Sequence, residues 1–214
     1  MNTTENLITI KDTTSNPAPL GLLGFGMTTI LLNLHNIGFF GLNAMIMGMG
    51  LFLGGIAQVM AGNQEWKKNN TFGAVAFTAY GFFWITLVFI WLLPKTAIGA
   101  DFKSDEVSMG WFLLLWGLFS LGMFVGTLKM SRALQFVFGT LVLLFFLLAI
   151  GDFTGIQSFK VIAGIVGVIC GFGALYTCMA QILNEVYGKE LLPLGAKKSK
   201  LEVSGANTEK KKLA

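Results

Sequence analysis

The stretch "GTLVLLFFLLAIG", residues 139–151, decides the fold of this chain. It carries no charge, and its apolar residues follow one another without alternating with polar ones. A strand of a membrane β-barrel alternates polar and apolar residues, so the pattern is not that of a barrel. A backbone that crosses lipid must satisfy its own hydrogen bonds, which an α-helix does within one segment. The stretch therefore predicts a transmembrane helix.

Five charge-free stretches are near or above the roughly 20 residues that a helix needs to cross a bilayer. They are 13–64, 69–94, 107–128, 133–151 and 161–184, and the first is long enough for two helices. We therefore predict an all-α bundle of six transmembrane helices, at 17–35, 41–62, 71–93, 108–128, 133–151 and 160–184. The chain is 12% charged, against about 25% in a soluble domain, which argues against a soluble helical protein.

The basic residues predict which ends of the helices face the cytoplasm. In a six-span arrangement Lys95, Lys103 and Lys160 fall on one side, and the remaining basic residues fall on the other. Cytoplasmic loops are enriched in Lys and Arg, so we expect both termini in the cytoplasm of a multi-pass protein of the cell membrane. The net charge of +4 then reflects topology and attraction to lipid rather than nucleic-acid binding.

Three segments follow from this arrangement. We expect a polar N-terminal tail at 1–15, a six-helix transmembrane domain at 16–195 and a disordered basic tail at 196–214, which is rich in Lys, Ser and Gly.

Pairs of glycines four residues apart recur inside the spans. They are Gly50 with Gly54, Gly122 with Gly126, and Gly167 with Gly171. This spacing lets a second helix backbone approach closely. Tight packing within the bundle, the walls of a narrow conduit and a subunit interface all fit this pattern.

Uncharged polar residues also recur inside the spans. Tyr80 and Trp84 lie one helical turn apart in the third span, so both rings point to one side. Such residues either bond a neighbouring helix or line a pathway for a polar solute. The candidates for substrate contact are Thr28, Asn33, Asn43, Gln58, Trp84, Thr140 and Asn184.

Charged residues are absent from the interiors of the predicted spans. Glu65 falls in the expected connection at 63–65, and His35 lies near the end of the first span. We find no metal-ligand spacing, no nucleophile with a base and no phosphate-binding loop before a helix. We therefore predict a protein that is not an enzyme and that uses no cofactor, metal or catalytic residue.

The stretch "NPAPLGL", residues 16–22, begins the first span with two prolines. Pro17 at the first helical position would lose an N–H group that has no helical partner there anyway, and Pro19 still falls within the first turn. Asn16 is a favoured N-cap. The segment predicts a rigid helix start at the membrane surface.

The same stretch resembles the signature of the acetate uptake transporter family, carried here by Asn16, Pro17, Pro19, Leu20 and Gly21. Further blocks resemble the bacterial permeases of this family in order, over about residues 15–195. They are "GFGMTTILLNLHN" (24–36), "GGIAQ" (54–58), "KKNNTFG" (67–73), "FTAYGFFW" (77–84), "GTLK" (126–129), "LQFVF" (134–138), "LLAIG" (147–151) and "LNEVYGKELLPLG" (183–195).

The resemblance implies passage of acetate, and of succinate in some members, through a pathway within each subunit of a homohexamer. It also implies a narrow constriction, which by motif falls on Phe25, Tyr80 and Leu141. The predicted spans independently put these three residues at similar depth, near the middle of the membrane.

Two routes for a carboxylate fit a pathway without charged side chains. The anion can pass between hydrogen-bond donors, or the neutral acid can cross the constriction. With a carboxyl pKa of about 4.3, about one acetate in 500 is neutral at pH 7. We expect the substrate to bring its own proton, and flux to rise as the external pH falls. The alternative function is a structural or assembly membrane protein that transports nothing.

Overall fold

The computed structural model describes residues 14–195 as a bundle of six helices, each long and apolar enough to cross a membrane. They are α1 (Ala18–Ile37), α2 (Ala44–Lys67), α3 (Thr71–Leu92, followed by the 3-10 turn Leu93–Lys95), α4 (Glu106–Thr127), α5 (Arg132–Thr154) and α6 (Gln157–Tyr187). The prediction of an all-α, six-span membrane protein is confirmed. The C-terminal tail predicted at 196–214, and residues 1–13 of the N-terminal tail predicted at 1–15, lie outside the described residues.

One predicted boundary is wrong and matters for the site. The connection expected at 63–65 is helical, because α2 continues to Lys67. Glu65 is therefore a residue of a membrane-spanning helix, and its side chain is buried. A polar side chain does not end a helix as long as the backbone hydrogen bonds continue, which is why the drop in hydropathy misplaced the end.

The two sides of the bundle can be told apart by their contacts. The Nδ2 group of Asn16 donates to Oε1 of Gln181 at 2.9 Å, and the N–H of Arg132 donates to the carbonyl of Gly195 at 3.1 Å. We call this side, where α1 begins and α6 ends, the tail side. The opposite side, where α1 ends and α6 begins, is the loop side.

Helix α1 begins within one residue of the predicted position. The predicted N-cap is wrong by one residue, because Pro17 rather than Asn16 occupies the N-cap position and Ala18 is the first helical residue. The Asn16 carboxamide oxygen accepts the N–H of Ala18 at 3.1 Å, so it still satisfies a free donor at the helix start. Pro19 lies in the first turn, where it removes no helical hydrogen bond.

The middle of α2, Met49–Ala57, is π-helical. The segment packs between α1 and α3, and the hydroxyl of Thr28 on α1 donates to the Gly24 carbonyl at 2.7 Å and lies 3.4 Å from the Met49 carbonyl. π-Helical segments are rare in proteins overall, and those that occur often lie at functional sites.

Two of the three glycine pairs pack helices within this chain. A Cβ atom at Gly171 of α6 would lie 2.8 Å from the Gly26 carbonyl oxygen of α1, and one at Gly50 would lie 2.8 Å from Val88 of α3. Gly171 therefore allows direct backbone approach, and Gly50 leaves room for a side chain of the neighbouring helix. Gly122 of α4 differs, because a Cβ atom there would meet nothing within 4 Å.

A candidate transport pathway

Three side chains from three different helices meet in the middle of the bundle. Phe25 of α1, Tyr80 of α3 and Leu141 of α5 are all buried, and the Phe25 and Tyr80 ring centroids lie 6.0 Å apart. We call these three residues the collar. The Tyr80 hydroxyl and the Ser120 Oγ atom of α4 lie 2.8 Å apart in a hydrogen bond, which fixes the ring and leaves an apolar surface at the collar.

The collar separates two cavities and lines both. A tail-side cavity of about 70 Å³ and a loop-side cavity of about 30 Å³ each have Phe25, Tyr80 and Leu141 in their walls. On this measure a space of about 10–15 Å³ holds one water molecule, so each cavity can hold small polar guests. Among the residues that line the two cavities, the three collar residues are the ones common to both walls, so the collar forms the boundary between the cavities.

The loop-side cavity offers unused hydrogen-bonding groups. It is lined by Thr29, Asn33 and Trp84, and neither the Thr29 hydroxyl nor the Trp84 Nε1–H has a partner among the described residues. The Asn33 carboxamide donates to the Thr29 carbonyl at 2.8 Å. Buried polar groups are normally paired, so two free ones in one cavity favour a polar guest there.

A vestibule of about 350 Å³ continues from this cavity toward the loop side. Leu32, Phe83 and Leu148 line both spaces. Its outer wall carries Asp152 and Lys160, whose carboxylate and ammonium groups lie 2.7 Å apart. His35 also lines the vestibule rather than the collar.

The tail-side cavity has a largely apolar wall that also carries three carboxamides and one carboxylate. The polar residues in its wall are Gln58, Glu65, Asn70 and Gln181. The Asn70 Nδ2 group donates to Oε2 of Glu65 at 2.8 Å. The Gln58 Oε1 and Glu65 Oε1 atoms have no partner among the described residues.

Of the seven polar residues proposed from sequence, Asn33, Gln58 and Trp84 line these cavities. The other four line neither the cavities nor the vestibule among the described residues, and they bond the chain itself. Thr28 donates to Gly24, Thr140 lies within hydrogen-bonding distance of two carbonyls of its own helix, Asn43 caps α2, and Asn184 holds the backbone of residues 191 and 192.

Sequence reasoning left Thr29, Glu65, Asn70 and Gln181 off its candidate set. A signal for Glu65 was present, since Trp66, Lys67 and Lys68 follow it. Aromatic and basic residues mark the membrane interface, so they would have put the end of α2 after Glu65.

Comparison with known proteins identifies the group to which this six-helix chain belongs. A family model described as the GPR1/FUN34/yaaH family matches residues 3–188. The chain belongs to this family.

Two comparisons with family members are extensive. The succinate-acetate/proton symporter SatP of Escherichia coli (strain K12) is 55% identical over 181 residues, which is 85% of this chain and 95% of that protein. A solved structure of the bacterial acetate channel SatP superimposes with a TM-score of 0.84 at 54% identity, covering 86% of this chain and 100% of that one.

A more distant relative is the ammonia transport outward protein 2 of Saccharomyces cerevisiae (strain ATCC 204508 / S288c). It is 36% identical over 174 residues, or 78% of this chain and 61% of that protein. The GPR1/FUN34/yaaH chain described here is thus a multi-pass plasma-membrane protein whose near relatives are named as transporters and channels rather than enzymes.

Proposed function

We propose that this protein passes acetate through the vestibule, the loop-side cavity, the collar and the tail-side cavity. The observation that carries the proposal is a pair of cavities whose walls share the three collar residues in the middle of the bundle, and each cavity holds polar groups without a partner among the described residues. The names of two extensively similar proteins, a succinate-acetate/proton symporter and an acetate channel, support acetate as the substrate.

The chemistry of the cavities suits a small carboxylate. On the tail side, the Gln58 Oε1 atom, which has no partner among the described residues, can accept a hydrogen bond from a carboxylic acid. On the loop side, Thr29 and Trp84 can donate hydrogen bonds to carboxylate oxygens. Charge-assisted hydrogen bonds of this kind are stronger than neutral ones. A one-carbon tail such as the methyl group of acetate needs little room, which fits chambers of about 30 and 70 Å³.

The collar favours the neutral acid at the crossing point. Burying an ionised carboxylate in an apolar space costs several kcal/mol even after relaxation, and hydrophobic constrictions gate pores by excluding water. The carboxyl group therefore crosses with its proton, and flux increases as the pH falls.

Flux into proteoliposomes tests the proposal. Labelled acetate is measured against protein-free liposomes over a pH series, because acetic acid itself crosses lipid, with succinate and lactate as competitors and ammonium as a second labelled solute. Protein-dependent acetate flux is expected. If vesicles containing folded protein match empty ones for acetate, the alternative of a structural or assembly protein replaces this function.

Two further features belong to the same proposal. We place the tail side in the cytoplasm, in keeping with the distribution of lysines, and protease access to the tails in sealed right-side-out vesicles tests this. We also propose a homohexamer in which each copy has its own pathway, and native mass spectrometry of the detergent-solubilised protein measures the number of copies.

A further inference from the structure

One carboxylate lies in the tail-side cavity with half of its hydrogen-bonding capacity unused. Glu65 is 2% exposed, and its Oε2 atom accepts the Asn70 carboxamide at 2.8 Å. Its Oε1 atom has no partner among residues 14–195, and the side chain lines the same cavity as the collar. An ionised carboxylate with so few partners is costly to bury, whereas a protonated one can donate a hydrogen bond to a guest.

The local backbone is built around this side chain. A Cβ atom at Gly73 would lie 2.8 Å from the Glu65 carboxyl carbon, so only glycine there leaves room for it. Asn70 also accepts the Gly73 N–H at 3.1 Å, which fixes the carboxamide that holds Glu65. The carboxyl group thus has a defined position at the start of α3 rather than that of a loose surface residue.

Within residues 14–195, few charged and titratable groups face Glu65. From its own end of α2, the positive charge of Lys68 acts on it. The start of α3 presents Asn70 and its helix N-terminus, and farther along the cavity wall α3 contributes Tyr80. Helices α1, α5 and α6 contribute uncharged residues to the wall, including Gln181.

A substrate carboxylate in this cavity would share a small, largely apolar space with the Glu65 carboxylate. Two carboxylates at close range in such a space cannot both stay ionised, and the pair retains a proton. The proton can then lie on either partner. Because the collar next to them admits the neutral acid best, the position of that proton decides whether the substrate can cross.

We propose that Glu65 exchanges a proton with the substrate carboxylate in the tail-side cavity. In the direction from tail side to loop side, the O–H bond of protonated Glu65 breaks, its electron pair stays on Oε1, and the proton forms the new O–H bond of acetic acid. Glu65 then takes up a proton from tail-side water. In the other direction, acetic acid that leaves the collar gives its proton to ionised Glu65 and departs as acetate, and Glu65 then releases that proton to tail-side water.

This inference rests on the proposed function but changes one part of the sequence-based expectation. There, acetate brought its proton from bulk water and needed no carboxyl group inside the membrane. With Glu65 as a local donor, the protein does not depend on the one molecule in about 500 that is neutral at pH 7.

The test compares Glu65→Gln with the wild type at constant acetate anion concentration over a pH series, with flux started from the tail side. Glutamine keeps the shape and can still accept from Asn70, but it carries no exchangeable acid proton. Glu185→Gln is the matched control, since Glu185 lies at the tail-side end of α6 and is exposed. Glu65→Asp, which retains a carboxyl group, is the rescue variant.

We expect the Glu65→Gln flux to be about tenfold or more below wild type near neutral pH and to rise about tenfold per pH unit as free acetic acid becomes available. The defect should therefore shrink toward acid. Wild-type flux should instead level off once Glu65 is protonated, Glu185→Gln should match wild type, and Glu65→Asp should recover flux at neutral pH.

Other outcomes overturn the proton-exchange role. The first is a Glu65→Gln flux equal to the wild-type flux at every pH, and the second is a Glu65→Gln flux higher than wild type at neutral pH. The third is a Glu65→Gln flux reduced by the same factor at every pH, which is the result of a merely structural role. If Glu65→Gln does not fold, the flux of Glu65→Asp is compared with that of Asn70→Ala at neutral pH. Equal losses of flux in these two variants count against the proton-exchange role, because Glu65→Asp retains a carboxyl group. Wild-type vesicles without acetate flux would instead refute the proposed function itself.

Discussion

Replacing Leu141 tests whether the collar sets the size of the transported acid. The side chain is 2% exposed and lines both the cavity of about 70 Å³ and the cavity of about 30 Å³, so Leu141→Ala shortens one of the three side chains that form the boundary between them. Each methylene of steric discrimination in an apolar pocket is worth about 1–3 kcal/mol, or roughly 10- to 200-fold. We therefore expect the ratio of lactate flux to acetate flux to rise about tenfold or more, with Leu141→Val between wild type and Leu141→Ala.

Leu144→Ala provides the matched control. Leu144 lies one turn away on α5, is 4% exposed and lines the loop-side cavity but not the tail-side one. Both substitutions should cost a similar stability, about 2–5 kcal/mol, so a general loosening of the bundle would affect them alike. Labelled lactate and acetate fluxes are measured in parallel in proteoliposomes. Equal ratios of lactate flux to acetate flux in the two variants, or an unchanged ratio in Leu141→Ala, would refute the role of Leu141 in the collar.

Three other predictions concern the loop-side cavity, the helix packing and a helix cap. Trp84→Phe removes the Nε1–H group that has no partner among the described residues. The acetate KM should rise about tenfold, since a hydrogen bond to a charged group contributes about 1.5–3 kcal/mol. An unchanged KM in flux assays would exclude Trp84 from acetate binding. Gly171→Ala should lower the unfolding temperature in detergent because its Cβ atom would meet a backbone oxygen at 2.8 Å, whereas Gly122→Ala, with open space around it, should not. Hydrogen bonds from Ser108 hold the pKa of Asp105 below its usual range. The cap therefore stabilises α4 at pH values above the ordinary aspartate pKa, and this stabilisation is lost as the pH falls through the lowered pKa. Asp105→Asn should remove this pH-dependent stabilisation from acid-unfolding curves, and identical curves for the variant and the wild type would contradict the prediction.

The number and order of the helices could be predicted because charge is confined to their ends. The five charge-free stretches reflect the cost of burying ions in lipid, which is independent of how the helices pack. Sequence and resemblance together also named Phe25, Tyr80 and Leu141, and the structure brings these three side chains together between two cavities.

The polar partners could not be predicted in the same way. Asn43, Asn184 and Asn33 are the same residue type in similar surroundings, yet the first caps a helix, the second binds a backbone turn and the third lines a cavity. What separates them is the position of neighbouring backbone groups, which is a property of packing. Glu65 was missed for a related reason, because a charge near a helix end was taken as the end itself.

The π-helical segment Met49–Ala57 lies upstream of both Gln58 and Glu65 on the same helix. Each residue of an α-helix turns it by about 100°, so deleting one residue from this segment would rotate everything that follows by that angle. The amide and the acid would then swing toward lipid or a neighbouring helix, while the composition and hydropathy of the segment stayed nearly the same. In this protein the spacing along one transmembrane segment, and not only the chemistry of its residues, sets which side chains line the cavity, so engineered chimaeras should preserve its length to the residue.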